Sequence, residues 1–201
     1  MDILLYAFLW FLFAAKHSLL ARLTVQAKLE EFLGAWYRLI YNAVALVTII
    51  LVYLAGHLLL ANQTFSFLDN SIGTFLSLAI QVAGLITLLV AIKQYDIGRF
   101  TGITQVRTGE RLSEATHEPL QQRGLNRWVR HPLYTGAFLV LWGGAGSTLG
   151  LWTAVWGSLY LVIGTRFEER KLIGLYQDNY REYQQQVPRY FPRITQRSVD
   201  A

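Results

Sequence analysis

The sequence contains no cysteine, which excludes disulfide scaffolds, thiolate zinc sites and cysteine nucleophiles. Charge is also scarce. Asp, Glu, Lys and Arg supply 15% of the 201 residues, against about 25% in a soluble domain. No basic leader precedes the first apolar run, which begins after Met1 and Asp2, so that run is expected to stay as a span and not to be cleaved as a signal peptide. What is abundant is apolar: 53% of residues are hydrophobic and 14% aromatic, which rules out a disordered chain. The length fits one domain, 1–201. The net charge of +5 leaves nucleic acid and an anionic membrane surface open as partners, and the placement of the cations decides between them.

A helix needs roughly 20 apolar residues to cross a bilayer. Ile3 to Ala21, Trp36 to Ala61 and Ile72 to Ile92 each qualify, giving three amino-terminal spans within 1–92. Leu133 to Thr165 carries no charge over 33 residues, but its middle reads Gly143-Gly144-Ala145-Gly146-Ser147-Thr148-Leu149-Gly150. That is turn chemistry, so the segment predicts two helices in a tight hairpin. The expectation is an all-α integral membrane protein with about five transmembrane helices. All 18 cations then fall on one side: Lys16 near the end of the first span, and the others flanking the loop after the first helix, between the third and fourth, and after the fifth. The positive-inside rule makes that side cytoplasmic, with the amino terminus outside, in an inner (plasma) membrane. The basic face is accounted for by lipid headgroups without nucleic acid.

Two segments remain for chemistry. The 93–132 connection is rich in glycine and reads as a cytoplasmic loop with short helical pieces, long enough to be functional. In the 166–201 tail, Leu172, Tyr176, Tyr180, Tyr183 and Val187 fall on one helical face, which predicts an amphipathic helix ended by Pro188.

Arg130-His131-Pro132-Leu133-Tyr134-Thr135-Gly136 is the most informative stretch. Proline suits a first helical position and biases the residue before it toward extended backbone. His131 is thus held at a helix start, where partial positive charge favours an anion. The plainer reading is an interfacial anchor of Arg and Tyr. At the end of the hairpin lies Arg166-Phe167-Glu168-Glu169-Arg170, where two acids at a membrane edge need pairing or water. The hairpin brings His131 and the two acids to the same membrane face.

Arg-His-Pro-x-Tyr-x-Gly, a hairpin, Glu168-Glu169, then Tyr180, Tyr183, Val187 and Pro188 resembles the isoprenylcysteine carboxyl methyltransferase family, a group that also includes membrane phospholipid N-methyltransferases. The resemblance covers about the last 80 residues. Three further stretches, His17-Ser18-Leu19-Leu20-Ala21, Arg38-Leu39-Ile40-Tyr41-Asn42 and Arg166-Phe167-Glu168-Glu169-Arg170-Lys171-Leu172, bear a looser resemblance to a narrower branch, the membrane methanethiol S-methyltransferases. One departure is Asn126 after Gly124-Leu125, where the wider family often has Tyr.

The resemblance implies S-adenosylmethionine as methyl donor. Gly124 and Leu125 are expected to hold its adenosine part through backbone, His131, Pro132 and Tyr134 to line the methionyl end, Glu168 to take the ammonium group and Arg130 the carboxylate. Arg166 and Glu169 are the expected catalytic pair, Arg166 holding an acceptor anion or lowering a thiol pKa; the plainer alternative is an Arg166–Glu169 ion pair. Gly143, Gly144 and Gly146 follow no strand and read as helix packing, not a nucleotide loop. The acceptor is small or hydrophobic, with a thiol favoured over an isoprenoid carboxylate or lipid amine. An NADPH-dependent membrane reductase, a non-enzymatic adaptor and a small transporter are the competing readings. His17 reads as a snorkelling residue or a functional one, His57 as structural and His117 as solvated; no metal is expected.

Overall fold

A computed structural model describes residues 1–60, 70–111 and 119–193, and these form helices and no strand. His117 lies outside the described residues.

Helix α1 (Asp2–Leu20) is followed by α2 (Leu23–Leu33), α3 (Tyr37–Leu60) and α4 (Ser71–Ile92). Asn70 caps α4 by accepting the Gly73 N–H at 2.7 Å. The connection after α4 contains α5 (Ile97–Thr101), α6 (Ile103–Thr108) and a 3-10 turn at Gly124–Arg127. Helix α7 (Pro132–Gly143) starts on its proline, and Ser147 caps α8 (Thr148–Tyr176) by accepting the Gly150 N–H at 3.1 Å. The last helix is α9 (Asp178–Gln186).

Three apolar runs became α1, α3 and α4 within a residue or two of their expected bounds. The hairpin also turns where its glycines lie. The expectation of five spans meets, among the described residues, four helices long and apolar enough to cross a membrane. Helix α7, with 12 residues, is about 18 Å long, short of a hydrocarbon core of about 30 Å. Helix α8 has 29 residues and a length of about 43 Å, so its charged end from Arg166 onward runs past the apolar part. Helix α2, expected as loop, is helical. The single tail helix is two: α8 runs on to Tyr176, and Gln177 breaks it with φ +50°.

Helices α1, α3 and α8 share an aromatic core in which Tyr6, Trp10, Phe13, Val52 and Leu60 pack against Trp152, Trp156 and Tyr160. Helix α4 packs closely on α7 through small residues. A Cβ at Gly84 would lie 2.8 Å from the Gly136 carbonyl, and one at Gly136 would lie 2.9 Å from the Gly84 carbonyl. This backbone-to-backbone approach is the small-residue packing of membrane helices. Ser77 and Gln81 then cap α7 by donating to the Gly143 carbonyl, Gln81 at 3.1 Å. Many large apolar side chains, such as Phe8, Phe11, Leu46, Ile50, Leu76 and Ile86, remain exposed, as lipid-facing surfaces of spanning helices do.

The long connection is tied to the bundle by α3. Arg38 Nε donates to the Phe100 carbonyl at 3.2 Å, and Asn42 Nδ2 donates to the Phe100 and Thr101 carbonyls at 3.0 Å. These carbonyls end α5, where orphan acceptors need donors. Gly102 follows with φ +96°, and a Cβ there would strike the Leu39 backbone.

Candidate functional site

The tail folds back on the start of α7. Arg130 N donates to the Pro188 carbonyl at 2.9 Å, and His131 N donates to the Arg189 carbonyl at 3.1 Å. Thr135 Oγ1 adds a bond to the Tyr190 carbonyl at 2.6 Å. Tyr180, Tyr183 and Val187 bury the apolar face of this segment against Leu120, Leu172, Ile173 and Tyr176. The predicted amphipathic face is thus real, but it packs inside the protein. Burial pushes the Tyr183 hydroxyl up to about 12, so it stays a donor, and it bonds the Asn126 carbonyl at 2.6 Å. Asn126, the departure from the family pattern, is buried here and ties the turn to α9.

Glu169 is the centre of this joint. Its side chain is 5% exposed. Arg130 donates to Oε1 through Nε at 2.9 Å and Nη2 at 2.7 Å. His131 Nε2 lies 3.2 Å from the same oxygen, and Arg189 Nη2 donates to Oε2. A buried carboxylate needs such partners to stay charged. Arg130 also donates from Nη1 to the Gln184 carbonyl at 3.1 Å and to the Val187 carbonyl. Its guanidinium is therefore engaged within the protein at every nitrogen.

Glu168 differs from its neighbour. Its side chain is 44% exposed, and its Oε2 lies 3.6 Å from His131 Nδ1. Tyr134 stacks on the His131 ring, centroids 5.4 Å apart and planes within 9°. The Tyr190 ring lies 6.2 Å from that of His131. Three polar atoms around this cluster are buried with no hydrogen-bond partner among the described residues: Tyr180 Oη, Arg189 Nε and Tyr190 Oη. Orphaned donors of this kind mark a place for a ligand or water. An exposed carboxylate beside unpartnered donors fits a zwitterionic amino-acid group, ammonium toward Glu168 and carboxylate toward Arg189 and Tyr190. Neither Arg189 nor Tyr190 was singled out from the sequence. Their only local signal is their position just after Pro188, and their significance depends on where the tail lands.

The turn before α7 is preformed. Gly124 has φ +60°, and its neighbour Gln94 from the end of α4 bonds the turn. With the Gln94 amide oriented to satisfy its neighbours, its oxygen accepts from Leu125 N at 3.2 Å and its nitrogen donates to the Arg123 carbonyl at 3.1 Å. Leu125 backbone is thus committed internally. Its side chain instead lines a cavity of about 330 Å³ with Thr87, Trp128, Val129, Pro132 and Pro192. That apolar, Trp-walled space is suited to a flat ring.

Of the residues expected at the site, Arg130, His131, Pro132, Tyr134, Glu168 and Glu169 meet at one joint, with Gly124 and Leu125 in the turn beside it. Arg166 is exposed on α8, and among the described residues it forms no ion pair with Glu169. The pairing weighed for Arg166 is made by Arg130 and Arg189 instead.

No family model matches the chain, and no solved structure matches it. Curated relatives do. It is 28% identical over 199 residues to "Methanethiol S-methyltransferase" of Crocosphaera subtropica, covering 93% of this chain and 73% of that protein. It is 30% identical over 192 residues to "Methanethiol S-methyltransferase 1" of Bradyrhizobium diazoefficiens, covering 90% and 64%. A third, "Methanethiol S-methyltransferase" of Mycobacterium tuberculosis, is 27% identical over 187 residues, covering 90% and 74%. The chain thus spans 64 to 74% of the length of these relatives. The similarity extends over most of this chain and supports a membrane methyltransferase.

Proposed function

We propose that the chain is an integral membrane methyltransferase that uses S-adenosylmethionine and acts on a small thiol such as methanethiol. The observation that carries the reading is the split between the two acids. Glu169 ties down Arg130, His131 and Arg189, and Glu168 is left open beside donors with no partner among the described residues. The names of the relatives supply the thiol and the methyl transfer; the donor set fits the methionyl end of the proposed cofactor.

In this reading Glu168 holds the cofactor's ammonium group, and Arg189 Nε and Tyr190 Oη hold its carboxylate. His131 and Tyr134 form one wall. Leu125, Trp128 and Pro132 offer the apolar space for the base. When bound, S-adenosylmethionine supplies a methyl group activated by a sulfonium charge. Glu169 acts as a positioning residue, because it fixes Arg189 and His131 rather than facing the open side. The protein's part is to align the acceptor sulfur with the methyl carbon and to keep water away. Transfer to a thiolate cancels a positive and a negative charge, so a poorly hydrated, apolar-walled site favours the products' side of that change. The thiol reaches the site through the bilayer, between the helices. With α7 and the hairpin turn taken as a fifth crossing beside the four long helices, the cations all face the cytoplasm and the amino terminus is outside.

The test is product formation by purified protein in liposomes given S-adenosylmethionine and methanethiol, followed by headspace detection of dimethyl sulfide. Formation of dimethyl sulfide, with no methylation of a prenylated cysteine or of phosphatidylethanolamine, supports the reading. Methylation of either of those with none of the thiol replaces the acceptor. Oxidation of added NADPH with no methyl transfer favours the reductase reading.

A further inference from the structure

A second polar cluster lies inside the bundle, and it joins two of the motifs that the site above leaves unused. His17 on α1 and Tyr41 on α3 come together with Nε2 and Oη 2.7 Å apart. Phe13 stacks on the imidazole at 5.7 Å, and Tyr160 of α8 meets it edge-on at 5.9 Å. The other ring nitrogen, Nδ1, is buried and has no hydrogen-bond partner. A polar atom left unpaired in an apolar interior is costly, and an ionisable group within a span points to function more than to packing.

Tyr160 connects this cluster to the first site. Its ring lies 5.9 Å from that of His17, and it precedes Glu168 by eight residues on the same helix, about 12 Å along the axis. Tyr160 therefore stands on α8 between the His17–Tyr41 pair and Glu168.

We propose that His17 is the base that receives the acceptor's proton, with Tyr41 fixing its ring. The proposal rests on the thiol methyltransferase reading and adds the acceptor side of the site to it. With the ring proton on Nε2 and donated to Tyr41 Oη, Nδ1 presents a lone pair. The S–H proton moves to Nδ1, and the acceptor sulfur uses the freed pair to bond the methyl carbon. The pair that held the methyl carbon stays with the sulfur it leaves, and the imidazolium releases its proton to solvent. The walls of Phe13 and Tyr160 suit an acceptor of few carbons. Around His17 the charged and titratable groups are Lys16 on its own helix, Tyr41 on α3 and Tyr160 on α8, with Tyr37 stacked on the far side of Tyr41. Lys16 is itself bonded to Thr48 Oγ1 at 2.5 Å.

The test compares wild type with His17→Gln, which keeps a donor toward Tyr41, and with Tyr41→Phe. General bases contribute about 10²–10⁴-fold, so His17→Gln is expected to slow thiol methylation at least 100-fold at neutral pH. Its rate should then climb about tenfold per pH unit, following the free thiolate, while the wild-type rate levels off. Binding gives an independent readout. In protein labelled with ¹⁵N at its four histidines and saturated with S-adenosylhomocysteine, ethanethiol should shift the resonance that His17→Gln removes. S-adenosylhomocysteine affinity should be the same in wild type and variant. Normal S-adenosylhomocysteine affinity with wild-type rates and pH profile in His17→Gln overturns the role of His17 and leaves the methyltransferase reading standing. No S-adenosylhomocysteine binding by folded wild type overturns both.

Discussion

Glu168 and Glu169 are adjacent in the chain, yet Glu169 is sealed among Arg130, His131 and Arg189 while Glu168 keeps 44% of its side chain exposed. Neighbouring residues on a helix point about 100° apart, and α8 passes the fold-back of the tail on one side only. The two acids therefore have separable roles. Glu169→Gln leaves the buried Arg130 guanidinium and the half-exposed one of Arg189 short of their counter-charge, and removing one partner of a buried pair costs about 3 kcal/mol or more. The expected result is a clear drop in melting temperature in detergent, with cofactor binding lost along with the fold of the tail.

Tyr190→Phe separates ligand binding from stability in the opposite sense. The Tyr190 hydroxyl makes no hydrogen bond within the protein, so its removal should leave the melting temperature unchanged. If it holds the methionyl carboxylate, affinity for S-adenosylhomocysteine falls about tenfold, the scale of one hydrogen bond to a charged group. Affinity for 5′-methylthioadenosine, which lacks that carboxylate, should not change. Calorimetry with both ligands checks it.

Gly136 is needed for the approach of α7 to α4. A Cβ there would lie 2.8 Å from the Leu88 side chain and 2.9 Å from the Gly84 carbonyl. Gly136→Leu should destabilise the protein by about 2 kcal/mol or more through overpacking. Because α7 begins at Pro132, the same change should displace His131 and weaken cofactor binding. Thermal melts with and without S-adenosylhomocysteine measure both effects.

The absence of cysteine makes the topology directly testable. Single cysteines at Ala145, in the hairpin turn, and at Glu182, on α9, should be modified from opposite sides of the membrane. With the cations inside, a membrane-impermeant maleimide labels Ala145→Cys in intact cells and Glu182→Cys only after permeabilisation. Labelling of both in intact cells would remove the proposed orientation.

Much of this arrangement can be read from local chemistry. Apolar runs, the first broken only by Lys16 and His17, give α1, α3 and α4, Pro132 marks the start of α7, and the run from Gly143 to Gly150 marks the hairpin turn. The meeting of His131 with the two acids follows from that hairpin, but the Arg130–Glu169 pair does not, because the local spacing points to Arg166 instead. The break at Gln177 is not readable, because a non-glycine residue takes a positive φ there with no Gly or Pro to announce it. Helix α2 also escapes notice, since its polar residues mimic a loop. The roles of Arg189 and Tyr190 depend on where the tail lands, which no periodicity encodes. His17 and Tyr41 stand out as motifs, but their bond links residues 24 apart and exists only once α1 and α3 pack.

The most direct measurement is a calorimetric titration of S-adenosylhomocysteine into detergent-purified protein, wild type beside Glu168→Gln, with melting temperatures taken on both. The account predicts saturable binding by wild type and at least a tenfold loss in Glu168→Gln at an unchanged melting temperature. Equal binding by the two proteins would remove Glu168 from the site, and no binding by folded wild type would contradict the methyltransferase reading itself.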